Sequence, residues 1–197
     1  MADQFDLFSG TASSAKRQAP FPDGFRYQEH VISEGEEASL VRELQALTFT
    51  PFKFHEYTGK RRVHAFGWSY DFALEQVRKV DDMPDFLQGI RDRVAQFAGL
   101  AAATLQQVLV TEYAPGAGIG WHRDKGVFDQ IVGLSLSAPC VFRLRRATGA
   151  SWERINVPVA ARSAYLLSGA SRTAWEHSIP PVDALRYSLT FRSMRER

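Results

Sequence analysis

A chain of 197 residues with 45% apolar and 12% aromatic residues can bury one sizeable core, and this composition excludes global disorder and a two-domain layout. A formal net charge of only +2 excludes a strong overall electrostatic signature. The single cysteine, Cys140, excludes an internal disulfide and any multi-cysteine metal site, and in Ala138-Pro139-Cys140-Val141-Phe142 it reads as a small buried hydrophobe.

The chain opens on Gln4-Phe5-Asp6-Leu7-Phe8 and continues from Ser9 to Pro22 in Ser, Ala, Gly, Lys and Pro without an apolar period. Residues 1–22 are therefore expected to be a flexible tail, and residues 23–197 a single domain. No basic start with an apolar stretch marks a signal peptide, and no apolar run approaches the roughly 20 residues of a membrane helix. A reducing cytoplasm, no membrane association and a monomer are the default expectations.

A first helix is predicted over Ser33–Leu47. Ser33 and Glu36 have capping-box spacing, and Leu40, Val41, Leu44 and Leu47 share one face. The next segment, from Phe54 to Tyr70, interleaves aromatic and basic side chains, including Lys60, Arg61 and Arg62. It suits a lid that stacks bases and touches phosphates, with Tyr57, Arg61, His64, Trp68 and Tyr70 as candidates. The same composition also suits a β-hairpin with core aromatics and solvated cations. A second helix is predicted over Pro84–Gly99, with Pro84 in its first turn, Gly99 as its stop, and Phe86, Leu87, Ile90, Val94 and Phe97 buried.

From Leu105 onward, short apolar or alternating runs replace helical periods. They fall at 107–113, 130–136, 141–146, 154–159, 164–167, 173–179 and 186–192, punctuated by Gly, Pro and Ser. Fourteen Phe also favour sheet. The fold class expected is α+β: a double-sheet, jelly-roll-like core covered on one face by the helices of the first half. Arg143, Arg145 and Arg146 form a second basic cluster, which suits a polyanion or a solvated face.

The chemistry centres on Trp121-His122-Arg123-Asp124. Side chains two apart in an extended segment share a face, so His122 and Asp124 can converge. An imidazole and a carboxylate are two members of the facial triad that holds non-haem iron(II). His177, in Trp175-Glu176-His177-Ser178-Ile179, is the candidate third ligand. In the last run, Arg186, Ser188, Thr190 and Arg192 alternate with Tyr187, Leu189 and Phe191. An apolar side thus faces a core, and two guanidinium groups that line a barrel interior need an anion such as a dicarboxylate. Leu109, Thr111 and Tyr113 share a face opposite Val108, Val110 and Glu112, and so add hydroxyl groups to the same interior.

These motifs in this order make the stretch from Val108 to Arg192 resemble the AlkB family of oxygenases: Tyr113-x-Pro115-Gly116, His122-x-Asp124, His177, and Arg186 to Arg192 within Arg-Tyr-x-Leu-Thr-Phe-Arg. The resemblance implies a double-stranded β-helix and a dioxygenase that uses iron(II), 2-oxoglutarate and O2. It implies that His122, Asp124 and His177 hold the metal. It implies that Arg186 pairs the distal carboxylate of 2-oxoglutarate with help from Tyr113, and that Arg192, Leu109, Thr111 and Ser188 line the rest of that pocket. The reaction implied is oxidation of a C–H bond as 2-oxoglutarate becomes succinate; an N-methyl group hydroxylated in this way leaves as formaldehyde.

Thr111 and Ser188 stand where the founding bacterial member has Asn, which preserves hydrogen bonding. Gly126 stands where that member has a base-contacting Asp, so its contact to methylated adenine does not carry over. The leading expectation is demethylation of alkylated bases in nucleic acid, a DNA-repair activity with DNA ahead of RNA. Oxidation of a protein side chain or a tRNA base, and a non-catalytic binding module on this scaffold, are the alternatives. Gln4–Phe8 also resembles the bacterial sliding-clamp-binding peptide, which would tether the enzyme to DNA; otherwise its apolar residues pack on their own domain.

Overall fold

The computed structural model describes residues 21–54 and 57–195. Two helices precede most of the sheet. Helix α1, Glu34–Gln45, starts at Ser33, whose hydroxyl accepts from the Glu36 amide while the Glu36 carboxylate accepts from the Ser33 amide, as the spacing predicts. Helix α2, Asp85–Ala98, has Pro84 as an extended cap rather than inside its first turn. It stops at Gly99, whose φ of 70° is a left-handed conformation that glycine adopts without a Cβ penalty.

The strands in chain order are β1 (Phe25–Gln28), β2 (Thr50–Phe54), β3 (Tyr57–Phe66), β4 (Trp68–Asp71), β5 (Gln76–Lys79), β6 (Leu105–Tyr113) and β7 (Ile119–His122). They continue with β8 (Phe128–Leu136), β9 (Cys140–Thr148), β10 (Ser151–Val159), β11 (Ala164–Leu167), β12 (Glu176–Ile179) and β13 (Arg186–Met194). A large sheet runs β1-β11-β8-β13-β6-β3-β2, and a smaller one runs β10-β9-β12-β7. Strands β4 and β5 pair separately.

Strand parity divides the interior in two. Tyr187, Leu189 and Phe191 of β13 join Val108, Val110, Val132, Leu134 and Leu136 against Leu40, Leu44, Leu87, Ile90 and Val94 of the helices. The opposite side of the large sheet meets Phe142, Leu144, Ile155, Val157 and Ile179 of the smaller sheet. The result is mostly β: a jelly-roll core with helices covering one face.

One expected strand begins late. Residues Gly169–Thr173 form a short helix, α3, and β12 starts only at Glu176. The Ser171 hydroxyl closes the turn by accepting from the Ser168 amide and donating to the Ser168 carbonyl. Arg172 is buried beneath it and donates to the carbonyls of Lys125 and Phe128. Strands β2 and β3 extend the large sheet, so the segment from Tyr57 to Tyr70 is strand on both sides of Gly67. Among the described residues, no helix is long and apolar enough to cross a membrane.

Candidate active site

The smaller sheet brings two histidines together by register. His122 in β7 lies directly opposite His177 in β12, and their ring centroids are 4.2 Å apart. Asp124 follows β7 by two residues, and one ligand atom from each of the three side chains falls within 4.8 Å of the others. His177 Nε2 is 3.5 Å from Asp124 Oδ2.

The site fixes the protonation of all three. Burial holds both imidazoles below their usual range, His177 to about 3, with each ring reinforced by nearby positive charge. Burial opposes ionisation of Asp124, but the Arg192 guanidinium, with Arg172 behind it, holds its carboxyl well below the usual carboxylate range. Contact at 3.5 Å between His177 and Asp124 is thus one between a neutral ring and a carboxylate, not an ion pair. His122 Nδ1 lies 2.9 Å from the Gly120 carbonyl, where it donates, which leaves Nε2 with its lone pair. Two neutral imidazoles and a carboxylate converging from one side are the donor set that iron(II) takes in a facial triad.

Leu109, Thr111, Tyr113, Ser188 and Arg192 line one cavity with the triad, as the alternation in β6 and β13 predicts. Arg192 has its anion within the protein: Nε and Nη2 donate to Asp124 Oδ1 at 3.0 and 2.7 Å, and Nη1 donates to Gln107 at 2.9 Å. Arg186 does not. It is fully buried, its Nε and Nη2 reach only the Ser135 hydroxyl, and its Nη1 has no hydrogen-bond partner. Among the described residues no carboxylate pairs with it, and its guanidinium lies 5.0 Å from the Tyr113 ring. A buried cation with an open donor fits a carboxylate of 2-oxoglutarate.

Three contributors were missed from sequence. Ser135 and Gly133 share the inward face of β8, a parity readable from Ile131-Val132-Gly133-Leu134-Ser135. Tyr165 lines the cavity, and burial pushes its phenol well above the usual range, so it stays a donor. Gly133 makes room for it: a Cβ there would sit 2.2 Å from the Tyr165 ring.

The lid candidates separate. Arg61 is buried, with its guanidinium 3.7 Å from the Phe52 ring centre, and its charge reaches His122. Tyr70 lies 5.0 Å from the ammonium of Lys125, which follows Asp124. His64 is turned the other way, because its register with Val110 places it on the helix-facing side, where Nδ1 meets the Thr48 carbonyl at 2.8 Å. Trp68 meets Lys79 of its own hairpin. The Tyr57 side chain and the Gln4–Phe8 peptide lie outside the described residues.

A jelly roll with this triad and an open buried arginine defines a class of enzyme, and comparison with known proteins agrees. The family model described as 2OG-Fe(II) oxygenase superfamily matches residues 24–192. The chain belongs to that superfamily and is an oxygenase of iron(II), 2-oxoglutarate and O2. Within it, the chain is homologous to AlkB-family proteins. It is 30% identical over 183 residues to the alkylated DNA repair protein ALKBH8 homolog of Arabidopsis thaliana, covering 80% of this chain and 53% of that protein. It is 27% identical over 166 residues to the mouse tRNA (carboxymethyluridine(34)-5-O)-methyltransferase ALKBH8, covering 81% of this chain and 24% of that one. The chain therefore spans about half, or less, of the length of these curated relatives. The solved structure of OsALKBH1 superposes with a TM-score of 0.69 at 14% identity, covering 88% of this chain and all of that one, which shows the shared fold.

Proposed function

We propose that the chain oxidises a C–H bond on a base of a nucleic acid and that, where the carbon is an N-methyl group, it demethylates the base. The observation that carries the site assignment is the open Nη1 of the buried Arg186, whose guanidinium lies 5.0 Å from the ring of Tyr113, a residue that lines the cavity with the triad. In this reading His122, Asp124 and His177 hold the iron. Bound iron(II), with 2-oxoglutarate and O2, supplies the power to hydroxylate a C–H bond as 2-oxoglutarate becomes succinate and CO2. Arg186, fixed by Ser135, binds the distal carboxylate, and the Tyr165 and Tyr113 hydroxyls supply polar contacts beside it. Arg192 engages Oδ1 of Asp124 with two donors, which turns Oδ2 toward the histidines. Leu109, Ile131 and Phe142 keep bulk water from the reacting groups.

Nucleic acid as substrate is supported by homology to the Arabidopsis thaliana relative, named an alkylated DNA repair protein, and by Arg61 and Tyr70 near the triad. Hydroxylation of a tRNA base without loss of a methyl group is the second reading, supported by the tRNA activity in the mouse relative's name. A panel of methylated single- and double-stranded DNA and RNA oligonucleotides, with unmethylated tRNA beside it, separates them. Formaldehyde release identifies demethylation; succinate without formaldehyde on tRNA identifies hydroxylation. Succinate stimulated by none of these nucleic acids would reject both. The sliding-clamp tether is proposed from Gln4–Phe8 alone, and deleting residues 5–8 is expected to abolish clamp binding without loss of turnover.

A further inference from the structure

The outer face of the smaller sheet carries a ladder of arginine and tryptophan that the reaction does not use. Phe142 and Leu144 of β9 and Ile155 and Val157 of β10 point into the core, so Arg143, Arg145, Trp152, Arg154 and Asn156 point out. Arg145 lies between two indoles, 4.4 Å from the Trp121 ring centre and 4.2 Å from that of Trp152. Its Nε donates to Glu176 at 2.7 Å. Arg143 lies 5.1 Å from Trp121, with Nε donating to the Ser178 hydroxyl at 3.0 Å.

The face is charged and in part open. It sets three arginines, Arg143, Arg145 and Arg154, against one carboxylate, Glu176, and among the described residues neither Arg143 nor Arg154 has an ion-pair partner. Trp152 is 40% exposed. Flat rings beside guanidinium groups, those of Arg143 and Arg154 without a carboxylate among the described residues, suit a polymer that offers both π-faces and regularly spaced negative charge.

Its position ties it to the site. Trp121 immediately precedes His122, Glu176 immediately precedes His177, and Arg145 and Leu144 are the register partners of Glu176 and His177. The ladder is the outside of the same rungs whose inside holds the triad, and β7 is the sheet edge between them.

We propose that this face binds the single-stranded nucleic acid flanking the reacting base, with bases stacking on Trp152 and phosphates on Arg143 and Arg154. The proposal rests on the nucleic-acid reading above, and its test keeps the two apart. The probe is a fluorescein-labelled 12-nucleotide single-stranded RNA, with the DNA equivalent beside it, titrated with the full chain and followed by anisotropy. Trp152→Ala is expected to weaken binding about tenfold. Arg143→Glu with Arg154→Glu is expected to lower the salt dependence by about one counterion per arginine. Succinate formation without nucleic acid should stay at the wild-type level in all variants, because none of these residues touches the cavity. A modified trinucleotide, too short to span the face, should be turned over equally by wild type and variants, while KM for a modified 12-mer rises in the variants. Equal affinity and equal KM in wild type and variants, with trinucleotide turnover intact, would overturn the face and leave the substrate reading standing. Failure of the wild type on every trinucleotide and 12-mer would remove both. Polyglutamate binding more tightly than the oligonucleotide, and lost in the same variants, would assign the face to an acidic protein and overturn the proposal.

Discussion

Replacing Arg186 with Met separates what the buried cation costs the fold from what it contributes to co-substrate binding. In the wild type, a fully buried guanidinium carries one donor without a partner, a defect of about 1–3 kcal/mol. The substitution removes that defect and also removes two bonds to the Ser135 hydroxyl, each of about 1 kcal/mol. Apo stability should therefore change by no more than about 1–2 kcal/mol, or a Tm shift of roughly 2–8 °C in either direction at this chain length. The ligand response should differ sharply. At 100 times its Kd, 2-oxoglutarate should stabilise the wild type by about 2.7 kcal/mol, or roughly 5–10 °C. Losing a buried, charge-assisted pair costs about 2–5 kcal/mol, enough to cut that stabilisation to below about 1 kcal/mol at the same concentration. Thermal denaturation with Mn(II), titrated with 2-oxoglutarate, reads both quantities at once. An undiminished ligand shift in Arg186→Met would refute the assignment of Arg186 to the co-substrate.

The Gly133 and Tyr165 contact makes a second test. Gly133→Ala drives a Cβ into the phenol ring and should destabilise the protein by about 1–3 kcal/mol, measured by the denaturant midpoint; Tyr165→Leu in the same chain should recover most of it. The Glu36 carboxyl is held below its ordinary value by hydrogen bonds from the Ser33 amide and hydroxyl. A folded-state value below the unfolded one gives stability that is present at neutral pH and lost as the pH falls through the folded value. The Tm difference between wild type and Glu36→Ala should accordingly be larger at pH 7 than at pH 3, and a pH-independent difference would contradict it. Replacing Arg192 with Lys breaks the two-donor contact to Asp124 Oδ1 and should weaken Mn(II) binding about 10–100-fold, read by titration calorimetry.

What sequence conveyed depended on whether a signal was local. The alternation from Arg186 to Arg192 specifies which side chains share a face, and the face is the one expected because Tyr187, Leu189 and Phe191 can be buried only against the helices. Ser33 with Glu36, and Gly99 at a helix end, are equally local and equally readable. The partner of Arg192 is not local: Asp124 is 68 residues away, and the sequence cannot say that one arginine is neutralised by the protein while the other stays open. Composition also misled in the segment from Phe54 to Tyr70. It makes His64 resemble Arg61 as a lid residue, whereas pairing with β6 puts them on opposite faces. Helix α3 was hidden because a serine-closed turn leaves no apolar period.

The central claim is that His122, Asp124 and His177 hold an iron that oxidises a nucleic-acid base. It is tested most directly by measuring succinate and formaldehyde together from purified protein, iron(II), 2-oxoglutarate, ascorbate and the methylated oligonucleotide panel, with Asp124→Ala in parallel. At least one methylated oligonucleotide should stimulate succinate in the wild type and release formaldehyde in equal amount, and Asp124→Ala should yield neither product. Undiminished turnover in Asp124→Ala, or wild-type succinate that no nucleic acid stimulates, would contradict it.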